Sequence, residues 1–123
     1  MQLGLIMVLT ADLEESERFY SDVLGLGLKD KAPNQLVFDL GGTEFHVFKC
    51  DDAGPQRRHG VSAGTVCVFE VPSIELAMRR MKADGVVFLH QTPAVNEHCG
   101  IRYAAFLAPG GNVHEIMERR RGA

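Results

Sequence analysis

The chain is short of the residues and runs that mark several functional classes. Its three cysteines, Cys50, Cys67 and Cys99, are odd in number and form no CxxC pair, which leaves no disulfide framework or structural zinc site to read and implies a reducing compartment. No apolar run approaches the roughly 20 residues of a bilayer-spanning helix. The opening Met1-Gln2-Leu3-Gly4-Leu5 lacks the basic start and small-residue cleavage site of a signal peptide. A soluble, cytoplasmic protein with no membrane partner is the expectation. Positive charge is also scarce: 13 Lys and Arg stand against 16 Asp and Glu, a net charge of −3, whereas a dedicated nucleic-acid binder clusters lysine and arginine against phosphate. The one basic run, Arg119-Arg120-Arg121, lies at the C-terminal end and reads as a solvated tail over 119–123.

What is present is ordinary globular material, 46% hydrophobic and 24% charged, in 123 residues: a single domain, 1–123, long enough to bury a core. From Gln2 to Thr10 the run is apolar and rich in strand formers. It stops at Asp12, which can cap a helix while Glu15 takes the third helical position. The helix spans about 13–24, with Leu13, Phe19, Tyr20, Val23 and Leu24 as its stripe, Glu14, Glu15 and Glu17 where the macrodipole favours acids, and Gly25 as its stop. Short strands are expected at 26–31, 35–40 and 44–49, the last two joined across Gly41-Gly42. Module one, about 2–49, therefore reads β-α-β-β-β.

A polar stretch bearing Gly and Pro, about 51–64, reads as a linker with Pro55, Arg57, Arg58 and His59 exposed. Module two, about 65–118, then repeats the order. A strand at 65–71 leads to Ser73 as a cap, and Ile74, Ala77, Met78 and Met81 fall at i, i+3, i+4 and i+7 before Gly85. Strands at 86–91, 102–107 and 112–118 follow, with Pro109-Gly110-Gly111 turning into the last. The helix stops Gly25 and Gly85 are 60 apart and the glycine pairs 69 apart, so Leu5 aligns with Thr65 and His46 with Glu115.

The segments VLTADLEESERFYSDVLGLG, 8–27, and FLAPGGNVHEIME, 106–118, resemble the first strand and helix and the closing hairpin of the vicinal oxygen chelate superfamily. Its members include glyoxalase I, fosfomycin- and bleomycin-resistance proteins and extradiol dioxygenases. The resemblance implies an α+β fold, two tandem βαβββ modules forming a concave mixed sheet that lines a small-molecule cleft, and a homodimer. In metal-binding relatives the ligands come from the start of each module's first strand and from its last strand. Those places hold Leu5, His46, Thr65 and Glu115, of which only His46 and Glu115 carry good ligand atoms. Ala108 also replaces the Asp that commonly precedes the turn's Pro. No tightly bound cofactor is expected; the alternative is a divalent Zn, Ni, Mn or Fe held by His46 and Glu115.

Strand alternation puts Leu3, Leu5, Met7 and Leu9 on one face with Glu44, His46 and Phe48. Module two adds Thr65, Cys67, Phe69, Val113, Glu115 and Met117. Such a wall suits an aromatic or hydrophobic ligand with one polar handle. His46 and Glu115 are the catalytic candidates, Glu115 because an apolar cleft raises a carboxylate's pKa toward acid–base work. Leu5, Met7, Phe48, Thr65, Cys67, Phe69, Arg102 and Met117 are the ligand-binding candidates. Each has an ordinary alternative: His46 as a hydrogen-bonded strand histidine, Glu115 in a cross-sheet salt bridge, His98 and Arg102 as an exposed loop pair, and Cys67 as a small hydrophobe. Tyr103 and Phe106 read as core, and His114 faces away from Glu115. The expected function is a glyoxalase/bleomycin-resistance-like small-molecule-binding protein, and the alternative is a metal-dependent lyase, isomerase or dioxygenase.

Overall fold

The computed structural model describes residues 1–50 and 65–119; the linker reading of 51–64 and the tail reading of 120–123 lie outside the described residues. Two compact units emerge. The first contains β1 (Leu5–Thr10), α1 (Leu13–Glu17) continued by a π-helical segment (Arg18–Val23), β2 (Gly27–Ala32), β3 (Gln35–Asp39) and β4 (Glu44–Lys49), with Pro109–Asn112 joining them. The second contains β5 (Cys67–Glu70), α2 (Ile74–Ala83), β6 (Ala94–Asn96), β7 (Ile101–Ala108) and the rest of β8 (Asn112–Glu118). Each carries a four-stranded mixed sheet, ordered β1-β4-β3-β2 and β5-β8-β7-β6, in which the first strand runs parallel to the last. These are the two βαβββ modules of the α+β fold.

In unit one the helix lays Phe19, Tyr20 and Val23 on one face of the sheet, where Leu36, Phe38, Phe45 and Val47 are buried. Tyr20 is the hub, with ring centroids 5.0 Å from Phe45 and 5.8 Å from Phe38, so aromatic edge contacts add to area burial in defining this core. The strand-to-helix corner is polar but satisfied. Ser16 Oγ donates to Thr10 Oγ1 at 3.0 Å, and the Asp12 carboxylate accepts the Glu15 N–H at 3.1 Å. In unit two Ser73 plays the same part for Leu76 N–H at 3.3 Å, and the Glu118 carboxylate accepts the Ile74 N–H at 2.8 Å. Replacing either cap, Asp12→Ala or Ser73→Ala, is expected to lower stability by about 1 kcal/mol, read as a lower urea midpoint at unchanged slope.

The two modules differ by one helical residue. The caps Asp12 and Ser73 are 61 apart while the stops Gly25 and Gly85 are 60 apart, and the additional residue in the first helix is taken up where it widens to π geometry over Arg18–Val23. Strand register therefore follows the caps, not the stops. Leu5 corresponds to Val66 and not to Thr65, a one-residue slip that turns a strand over.

Module two also departs from expectation at 86–91, which is not a continuous strand. Phe88 makes an isolated bridge with Phe106, the Leu89 N–H reaches the Ala105 carbonyl, and regular pairing resumes only at β6. At the break the His90 side chain replaces the backbone as acceptor, taking the Ala105 N–H on Nδ1 at 2.9 Å, and Pro93 has no N–H to give.

Candidate functional site

Each sheet has one face covered by its helix and one open. On the open face of unit one β1 and β4 run in register, Leu5 beside Glu44, Met7 beside His46 and Leu9 beside Phe48. Leu5 (42%), Met7 (55%), Leu9 (40%) and Phe48 (40%) are all substantially exposed, an apolar patch of the kind that marks a ligand or partner surface. His46 is half-sunk in its centre, with Met7 on one side and Val37 on the other.

Three polar side chains of this face, Lys29, Glu44 and His46, form a chain. His46 Nε2 lies 3.0 Å from Glu44 Oε1, and the other carboxylate oxygen pairs with the Lys29 ammonium. Lys29 reaches it because β2 carries a bulge: the register to β3 jumps between Leu28 and Asp30, leaving Lys29 as the additional residue. The hydrogen bonds from Lys29 and then His46 hold the Glu44 carboxyl below the usual carboxylate range, and Glu44 in turn raises the Lys29 ammonium. An ionised carboxylate only accepts, so the bond runs from the His46 Nε2–H to Glu44 Oε1.

In unit two the register sets Val68 beside Glu115 and Glu70 beside Met117, while Cys67 stands beside His114 and Phe69 beside Ile116. Glu115 and Met117 thus share a face as expected. Cys67 and Phe69 do not join them, because the cap spacing shifts the strand by one residue; they lie on the helix-covered face, where the Phe69 ring meets His114 at 5.6 Å. Val68 takes the place assigned to Cys67. Burial pushes the Cys67 thiol up, in keeping with a small hydrophobe. Arg102 is also turned to the helix side, where it pairs with Glu75 and, at 3.8 Å, with Glu118. Thr65 precedes β5 and is exposed. Phe106 is core, whereas Tyr103 is half-buried, edge-on to His90 at 5.7 Å. His114 is sealed in the core between the rings of Phe69 and Phe106, and burial pushes its pKa down to about 4.

The sequence places Glu44 on the His46 face by simple alternation, but its role with Lys29 is missed there because a bulge has no residue signature in this strand. The cap-to-cap spacing of 61 was the available signal for Val66 and Val68.

The match to known families settles the lineage: the model described as Glyoxalase/Bleomycin resistance protein/Dioxygenase superfamily covers residues 2–118. The chain belongs to that superfamily. No curated protein is significantly similar in sequence. Solved members share its fold: a glyoxalase/bleomycin resistance protein/dioxygenase from Nocardioides matches at 24% identity and TM-score 0.75, covering 100% of this chain and 86% of its own. A lactoylglutathione lyase from Agrobacterium tumefaciens matches at 24% and 0.72, over 95% and 92% of the two chains. The fosfomycin resistance protein FosX from Listeria monocytogenes matches at 15% and 0.77, over 98% and 95%. At such identities the likeness is one of fold.

The superfamily's metal places do not fit a resident ion in this member. By register they hold Leu5, His46, Val66 and Glu115, and two of the four are hydrocarbon. Zinc-type sites need three or four protein donors. Among the described residues no three His, Cys, Asp or Glu side chains come together as a ligand group. No helix among the described residues is long and apolar enough to cross a membrane.

Proposed function

We propose that this superfamily member binds a small, largely apolar molecule bearing one polar group, works as a homodimer, and needs no tightly held metal. The observation that carries the reading is the open face of unit one, where exposed Leu5, Met7, Leu9 and Phe48 lie beside the Glu44–His46 pair. That is the composition of a ligand wall, mostly apolar with few placed polar groups. Glu115 and Met117 offer a comparable mixture on unit two. Exposed apolar side chains of this extent also favour a second chain over them.

A metal-dependent lyase, isomerase or dioxygenase is the competing reading. One feature favours it: a carboxylate is the usual partner of a metal-bound imidazole, and Glu44 is so placed. The donor count opposes it. Elemental analysis of protein purified without chelator, with titration of Zn²⁺, Mn²⁺, Fe²⁺ and Ni²⁺, decides between them. The expected result is metal far below one per chain, unchanged in a His46→Ala/Glu115→Ala variant, and light scattering at twice the chain mass. Stoichiometric metal that the double variant loses would overturn the metal-free reading. In the metal-free case thermal shifts with small aromatic compounds are expected to rise, since a ligand that binds only the native state stabilises it.

A further inference from the structure

The acids of the open face are gathered to one side of it. We propose that the polar end of the ligand is a protonated amine, carried about 10 Å from the apolar body and held over Asp39 and Asp30. This rests on the reading that the open face of unit one binds a ligand, and it adds the charge of that ligand and its length.

Alternation and register lay the face out in rows that cross the strands. Leu5, Glu44 and Asp39 form the first row; Met7, His46, Val37 and Asp30 form the second; Leu9, Phe48, Gln35 and Ala32 form the third. Taken strand by strand, β1 presents only hydrocarbon and thioether, β4 is mixed, and the remaining acids belong to β3 and β2. Neighbouring strands are about 4.8 Å apart, which sets β3 about 10 Å from β1 and β2 about 14 Å from it. A ligand whose apolar body rests on Leu5, Met7, Leu9 and Phe48, and which extends across β4, therefore ends at Asp39 or Asp30.

Charge decides what that end can be. Among the described residues Lys29 is the only lysine or arginine of this face, since Lys31 and Lys49 fall on the other side, beside Leu36 and Thr10. Lys29 is committed to Glu44. Asp30 and Asp39 are exposed and take part in no ion pair among the described residues; Asp39 gives one oxygen to the Gly42 N–H at 3.1 Å. The bond to Glu44 and, more weakly, the Asp39 charge hold the Lys29 ammonium above its usual range, so Asp39 is felt at the centre of the face. Three carboxylates against one ammonium leave a negative potential that a cation relieves and a carboxylate or phosphate adds to. Exposed charge pairs are individually weak, so a small hydrated ion gains little here. An amine with an apolar tail gains the burial of that tail as well: the hydrocarbon supplies the affinity, and the acids choose between ligands.

The probes are three dansyl sulfonamides bearing a pentyl chain that ends in an ammonium, a methyl or a carboxylate, read by the rise in dansyl fluorescence on entering apolar surroundings. The ammonium probe is expected to bind about fivefold tighter than the methyl probe, and the carboxylate probe more weakly than either. In an Asp30→Asn/Asp39→Asn variant, which keeps an oxygen for the Gly42 N–H, the ammonium probe is expected to fall to the affinity of the methyl probe. The methyl probe should bind this variant as it binds the wild type, which shows the face intact. High salt is expected to remove the ammonium preference from the wild type in the same way. Equal binding of the three probes, tightest binding of the carboxylate, or an ammonium preference that survives loss of both acids overturns the proposal and leaves the ligand face standing. Absence of binding by all three removes the ligand face, and the proposal falls with it.

Discussion

Gly110→Ala is expected to destabilise the protein by about 3 kcal/mol or more, lowering its urea midpoint far beyond what one methyl group on a surface turn would do. Two independent effects add. Gly110 has φ +79°, a left-handed conformation that costs an L-residue about 1–2 kcal/mol. A Cβ there would also stand 2.2 Å from the Leu9 carbonyl oxygen and 3.0 Å from Thr10 Cα, both backbone atoms with little freedom to retreat. Asn112 tightens the same place, its side-chain amide donating to the Leu9 carbonyl at 3.0 Å and to the Pro109 carbonyl at 2.8 Å. Gly41→Ala is the control. Its φ is +73° but a Cβ meets nothing within 4 Å, so it is expected to show the conformational cost alone. Equal losses in the two variants would mean that the close approach to β1 contributes nothing.

The second large effect is a dependence on pH. His114 titrates near 6.5 when unfolded and at about 4 in the core. Between those values the unfolded chain binds a proton that the native state refuses, so stability falls as pH drops from about 6.5 to 4 and the loss levels off below. The full span corresponds to about 3 kcal/mol. Exposed carboxylates held low by partners, Glu44 and Glu75, lose their contribution at still lower pH, but they do so in any variant. The measurement is therefore a difference: His114→Phe, matched to its aromatic neighbours Phe69 and Phe106, is expected to gain on the wild type as pH falls from 7 to 4. Parallel stability curves for the two proteins would show that the buried imidazole is not the cause.

Much of the fold was legible because it rests on local chemistry. Asp12 and Ser73 announce the helix starts, and Gly41-Gly42 and Pro109-Gly110-Gly111 mark the turns. The alternation Glu44, His46, Phe48 against Phe45, Val47 declares which side of β4 is covered. What stayed hidden depends on partners distant in sequence or on an irregularity without its own residue code. The bulge that aims Lys29 at Glu44 is one such case. The His90 ring standing in for a strand carbonyl is another, and it explains why a segment with strand-like composition is broken. The error at Cys67 and Phe69 was of a third kind, a correct repeat aligned on the wrong landmark, so that these two and not Val68 were set on the face of Glu115. Arg102 read as a ligand-binding candidate because its partners, Glu75 on a helix and Glu118 on the neighbouring strand, are 27 and 16 positions away.

The π-helical segment of the first helix separates two kinds of length change that such a chain can accumulate. A helix can take in one residue by widening a turn, and the strands on either side keep their pleat. A strand has no such reserve. One residue gained between Glu44 and Phe45 would exchange the covered and open faces of the rest of β4, turning Phe45 and Val47 to the open side and His46 to the side of Tyr20. Insertions in this fold should therefore be found in helices, turns and bulges, and the parity of the strands should be the part of the sequence that descent leaves alone.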